Sequence, residues 1–137
     1  EFHGLIAAPS NQSSSAEWGC FGTYLGGTSY DFGSGQQNTS SILNGCSSQG
    51  TAAEICSNLN LNGYSDWYLP SRIELTYMDQ NIGNASGLPN IYGLYSSRWT
   101  SSEKNNEEAY ISVSFVGGGQ TAVSKNISVA VRAIRKF

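Results

Sequence analysis

The hydrophobic period changes along this chain, and that change restricts the fold more than any other feature. In the C-terminal third, "RWTSSE", "AYISVSFVGG", "GQTAVSK" and "SVAVRAIRKF" alternate as strands do. Tyr110, Ser112, Ser114 and Val116 fall on one face, Ile111, Val113 and Phe115 on the other, and Gly117 to Gly119 supply a hairpin turn. Upstream the apolar residues recur at helical spacing instead. Helices gathered in one half and an antiparallel sheet in the other make an α+β arrangement, because βαβ units need the two to alternate. A first strand, "HGLIAAP", is ended by Pro9 and is free to join the sheet. "SNQSSSAEWGC" reads as a polar loop leading to Trp18, and "FGTYLGGTSYDFGSGQ" is irregular. The expectation is two or three short helices on a small antiparallel sheet with long loops.

The third helix has the clearest start. In "GYSDWYLPSRIEL", Ser71 can accept a hydrogen bond from the Glu74 backbone N–H while Glu74 reaches back to Ser71, a capping box. Pro70 favours an extended Leu69, so the chain arrives extended and turns into the helix. The stretch therefore reads as a corner, with Trp67 and Leu69 packing inward and Ile73, Leu75, Tyr77 and Met78 forming the apolar stripe of "SRIELTYMDQNI". "NTSSILNGC" is a short helix with Asn38 as N-cap. "TAAEICSNL" is the second helix, separated from the first by Gly50 and Thr51.

A chain of 137 residues is one domain, spanning 1–137. Its net charge of -3 argues against nucleic acid, which needs a basic face. No apolar run reaches the roughly 18 residues of a membrane helix and no signal peptide is visible, so membrane insertion is not expected. The abrupt opening "EFHGLIAAPS" reads as a piece of something longer, with any export signal upstream. Only 12% of residues are charged, against about a quarter in ordinary soluble domains. With abundant Gly, Ser, Asn and Thr, that composition points to an extracellular or cell-surface setting.

Catalytic sets are hard to assemble. The lone histidine is His3, and no Gly-x-Ser-x-Gly elbow or phosphate-binding loop exists. Asp66 and Glu103 are the carboxylates that a glycosidase would need across a cleft. The structural reading of Glu103 is an ion pair with Arg132 or Arg135, or a carboxylate fixing a loop backbone. Glu107 and Glu108 with Asn105 and Asn106 offer calcium-type oxygens, but the spacing is not that of an EF-hand. A polar hairpin tip accounts for them, and neither metal nor cofactor is expected.

The aromatics are more informative. Tyr24, Tyr30, Tyr64, Trp67, Tyr68, Tyr92, Tyr95 and Trp99 stand mostly in loops or strand ends amid Asn, Ser and Gly, a composition that binding surfaces use. Trp18, Trp67 and Trp99 read as core pillars, and Tyr92 and Tyr95, in "NIYGLYSSR", as surface residues. The ligand surface is assigned to Tyr92, Tyr95, Arg98, Lys104 and Asn105, and structural roles to Trp67, Ser71, Glu74, Trp99, Glu103 and Arg132. Of the three cysteines, Cys56 shares helical spacing with Ala52, Ala53, Ile55 and Leu59 and reads as a core-facing thiol. Cys20 and Cys46 remain as the pair.

In that order, "GLIAAPSNQSSSAEWGC", "GYSDWYLPSRIELTYM", "RWTSSE", the Gly-rich hairpin and "VAVRAIRKF" resemble the bacterial domain at the C-terminus of the Legionella collagen-like adhesin. The resemblance spans nearly the whole chain. It implies a fold similar to C-type-lectin-like domains and formylglycine-generating enzymes, and a surface protein that binds rather than catalyses. Family members commonly carry a strand before "HGL", and this sequence starts after it, so that edge of the sheet is expected to be absent or supplied from elsewhere; many members have a cysteine where Ala133 stands. Without that partner the resemblance implies a free Cys56, in keeping with a Cys20–Cys46 disulfide. The sulfated glycosaminoglycans associated with the founding adhesin suit a basic surface, and this chain is acidic. The expected function is a non-catalytic extracellular adhesion domain for a glycan or host glycoprotein, in a homo-oligomer, with a trimer as one form. The alternative is a structural, trimerising cap on a fibrous stalk or phage tail fibre without a ligand of its own.

Overall fold

The computed structural model describes residues 4–84, 97–112 and 119–137. Strands β1 (Leu5–Ala7) and β2 (Ser13–Ala16) precede helices α1 (Gly35–Gly45), α2 (Ala52–Ser57) and α3 (Arg72–Met78). A π-helical turn, Asp79–Asn84, extends α3, and strands β3 (Arg98–Glu103), β4 (Glu108–Ser112), β5 (Gln120–Ser124), β6 (Val129–Val131) and β7 (Ile134–Lys136) follow. The fold is α+β. One sheet has five strands in the order β2-β6-β3-β4-β5, and β1 pairs with β7 in a separate two-stranded sheet. β6 runs parallel to β3, with Arg98 opposite Ala130, so the larger sheet is mixed rather than purely antiparallel. Alternation reports which face a residue occupies and says nothing of strand direction or partner. Residues 113–118, which include most of the expected Gly hairpin and the end of its first strand, lie outside the described residues.

β1 does not join the larger sheet. It pairs with β7 through Leu5 opposite Lys136 and Ala7 opposite Ile134, and β7 also takes Tyr68 by a bridge to Ile134. β2 forms where a polar loop was expected. It is an edge strand with only Ala16 buried, so serines can occupy it without an apolar alternation.

The main core gathers Trp18, Trp67, Leu69 and Trp99 with Ile42, Ala52, Ala53, Cys56 and Val131. Buried indoles need acceptors. Trp18 Nε1 donates to Thr100 O at 2.9 Å and Trp99 Nε1 to Ala16 O at 2.7 Å. A smaller cluster joins Tyr68, Leu75, Met78 and Ile134, with Leu5 and Ala7 against it.

Two helices differ in detail from expectation. α1 begins at Gly35, three positions before Asn38, and Ser34 makes no side-chain cap. Asn38 is buried inside the helix instead: its Nδ2 donates to Ser29 O and Ser101 Oγ, and its Oδ1 accepts from Ser29 N. α3 keeps its capping box, but Leu75 and Met78 alone of the expected stripe face inward, beside Glu74. Ile73 and Tyr77 are 40% and 49% exposed. The capping corner fixes the helix rotation and puts positions 73 and 77 on the outer side.

Candidate functional site

β3 is buried at all six positions although five of its residues, Arg98 and Thr100 to Glu103, are polar or charged. The side chains of Ser101, Ser102 and Glu103 find partners in the first half, at Asn38, Ser29 and the Leu25 and Gly26 backbone, while Thr100 Oγ1 donates to Tyr110 O on β4, as buried polar groups must. Ser102 Oγ donates to Ser29 O at 2.9 Å and accepts from Arg72 N at 3.1 Å. Ser71 Oγ donates to Asp31 O at 2.7 Å, and Ile73 N donates to Tyr30 O at 3.1 Å. The 28–34 loop is thereby clamped across the start of α3, holding Tyr30 and Phe32 at the surface, 40% and 43% exposed. Beneath it the Glu74 carboxylate accepts from Gly35 N at 3.0 Å, Ser71 N at 2.9 Å and the Tyr68 hydroxyl at 3.1 Å.

Tyr30, Arg72, Ile73, Thr76, Gly119 and Gln120 line a groove of about 370 Å³. The Arg72 guanidinium carbon lies 3.8 Å from the ring centre of Tyr110 and 4.8 Å from that of Tyr30. The two rings meet edge to face at 5.2 Å. Arg72 Nε donates to Gln120 Oε1 at 2.9 Å, and Gln120 Nε2 donates to Arg72 O at 2.8 Å and Thr76 Oγ1 at 3.2 Å. Hydrogen bonding with Tyr110, then burial, pushes the Tyr30 phenol above its ordinary value, with Arg72 pulling the other way. On the other flank of α3 an apolar hollow of about 420 Å³ is bordered by Leu5, Phe32, Tyr77, Met78 and Ile134. Of its polar lining residues, Glu74 is committed to the capping corner and Asn81 Nδ2 donates to Tyr77 O, whereas several polar side chains converge on the groove.

Tyr92 and Tyr95 lie outside the described residues. Arg98 does not belong on a ligand surface: it is 0% exposed, its Nε donates to Asn11 Oδ1 at 2.9 Å, and its Nη1 is 3.9 Å from Asp79 Oδ1. Burial lowers its pKa to about 10. Lys104 is exposed at the β3–β4 tip, 3.6 Å from Glu108, while Asn105 Oδ1 is turned inward to accept from Glu107 N and Glu108 N. The tip and the groove are built from different residues.

Glu103 does fix a loop backbone, accepting from Leu25 N at 2.8 Å and Gly26 N at 2.9 Å. Its ionic partner is Lys125 at 2.6 Å, not Arg132 or Arg135, and both side chains are fully buried. Arg132 Nε donates to Ala8 O at 2.7 Å. Arg135 grips Asp66 through two bonds of 2.7 and 3.0 Å and rests on the Tyr64 ring. Asp66 and Glu103 thus sit in separate ion pairs.

The sequence profile of the Lcl C-terminal domain matches residues 12–135, from the edge of β2 through most of β7. The chain belongs to this family. It is a family of adhesin-type domains, not a known enzyme family, and it associates the chain with surface or secreted proteins. No curated protein matches the chain. Every groove residue falls inside the Lcl C-terminal domain match.

Sequence reading singled out Tyr30 among the loop aromatics but missed Arg72, Tyr110 and Gln120. One signal was available. Arg72 occupies the first helical position of α3, where the helix dipole disfavours a cation. A basic residue placed against that field asks for another reason.

Proposed function

We propose that this Lcl C-terminal domain is the recognition module of an extracellular adhesin and binds a glycan, free or on a host glycoprotein, without catalysis. The observation that carries this reading is the groove itself. It combines an exposed tyrosine, a guanidinium held rigid by Gln120 and an open apolar residue, Ile73. Tyrosine presents a large, stiff contact area at low entropic cost, and its ring suits the C–H face of a pyranose. A glycosidase reading loses support because Asp66 and Glu103 are each taken up by a cation.

A glycan array probed with the folded domain tests the proposal. The expected result is selective binding that Tyr30→Ala weakens without lowering the thermal midpoint by more than a degree or two. A blank array together with no capture of host surface glycoproteins would remove it. A concentration-independent trimer in sedimentation would then favour the structural cap.

A further inference from the structure

We infer that the ligand carries a carboxylate: the groove takes an acidic pyranose of the uronic acid type, whose carboxylate is gripped by Arg72. The inference deepens the glycan reading above and rests on it. Lys125, Arg135, Lys104 and Arg98 each lie within 3.9 Å of a side-chain carboxylate oxygen. Arg72, like Lys136 near the C-terminus, has no such partner among the described residues, in a chain with ten acidic and seven basic side chains, and of these two Arg72 lines the groove.

Its geometry is nevertheless fixed. Gln120 takes the Nε proton and is itself anchored to Arg72 O and Thr76, and Tyr110 supports the guanidinium at 3.8 Å. Arg72 lines the groove, and besides Gln120 its guanidinium engages the Tyr30 hydroxyl, with no carboxylate against it among the described residues. An arginine fork held in this way has lost its side-chain entropy before a ligand arrives, and parallel N–H pairs match a planar carboxylate.

A carboxylate's two oxygens lie in one plane and meet a parallel pair of guanidinium N–H groups, while the Tyr110 and Tyr30 rings back the fork from adjacent sides. A sugar fits better than a peptide C-terminus because such termini are captured by nests of backbone N–H groups. Here the Arg72 N–H is spent on Ser102 and the Ile73 N–H on Tyr30, leaving side chains as the groove's donors. The exposed Tyr30 ring beside the fork offers a face for the pyranose, and about 370 Å³ accommodates roughly one or two rings.

The test is titration of the folded domain, by calorimetry and by following the arginine Nε–H resonances, with oligogalacturonate and oligoglucuronate. Neutral galactose and glucose oligomers, a 6-sulfated glucose oligomer and an acetylated dipeptide with a free C-terminus serve as controls. Uronates are expected to bind and to shift the Arg72 Nε–H signal. Arg72→Gln and Arg72→Lys should each weaken binding by about 10- to 100-fold, because lysine keeps the charge and loses the fork. Gln120→Ala, which frees the guanidinium, should weaken it less. Stronger binding of the neutral oligomers, or uronate binding unmoved by Arg72→Lys, would overturn the carboxylate assignment and leave the glycan reading standing. Preference for the sulfated oligomer or the dipeptide would overturn it in favour of that ligand. Silence in every arm, with a blank glycan array, would remove both readings.

Discussion

Glu74 shows how one side chain holds a corner. Its carboxylate accepts three hydrogen bonds, two of them from the backbone of different elements. Ser71→Ala removes the acceptor for Glu74 N and the donor to Asp31 O, and is expected to cost about 1–2 kcal/mol, read as a lower urea midpoint with an unchanged slope. Gly35→Ala tests the same corner by addition. A Cβ there would overlap Glu74 Oε1 and come within 2.7 Å of the Tyr68 ring and 2.9 Å of Leu69 O. The usual gain from alanine in a helix, up to about 1 kcal/mol, should be outweighed by overpacking of about 1–3 kcal/mol. A Gly35→Ala protein as stable as wild type would mean that the corner is looser than these contacts imply. The capping box was legible in the sequence because its partners are three residues apart. The Glu103–Lys125 pair was not, because its partners are 22 residues apart and are brought together only by the tertiary fold.

At the scale of elements, the disulfide and the Gly-rich loop belong together. Cys20 and Cys46 are bonded, with Cα atoms 5.9 Å apart and a sequence separation of 26, and the loop between them has its middle pinned by Glu103. Replacing both cysteines by serine should cost roughly 3 kcal/mol in the chain-entropy account, seen as a lower thermal midpoint under oxidising conditions. Cys56 is free and fully buried on α2, where burial pushes its thiol pKa far up. A bulky thiol reagent should therefore leave native protein untouched and label Cys56 only at the rate of global unfolding. Prompt labelling would show that α2 opens on its own. The free thiol could be read from helical spacing alone. The true start of α1 could not, since a short amide such as Asn38 serves equally as a cap or, as here, as a buried clasp on another loop.

For the whole molecule, the α+β class followed from periodicity, while the strand order and the groove depended on how the halves meet. β3 links them: one side carries β4 and β5, the other β6, and its buried polar residues reach the loops of the helical half. The groove arises at that junction from Tyr30, α3 and the start of β5, with Tyr110 of β4 against Arg72, which no local pattern joins. A second product of the junction is Asp79, at the end of α3 and 3.9 Å from Arg98 Nη1. Its Oδ1 is buried without a hydrogen bond among the described residues. Burial raises its pKa to about 6, against the opposing pull of Arg98 and Arg132. An acid whose folded pKa lies above its unfolded value binds more protons folded than unfolded, so its contribution to stability is greatest at low pH and is lost as pH rises through the folded pKa. The window runs from about pH 4 to 6 and amounts to about 2–3 kcal/mol. Asp66 acts in the opposite sense. Arg135 holds its pKa below the ordinary value, so its stabilisation is lost only at pH values below that window. Unfolding free energy from urea titrations should therefore decline between pH 4.5 and 7 in the wild type and flatten in Asp79→Asn, whose amide has no proton to lose. A variant with the same slope as the wild type would place the titrating group elsewhere.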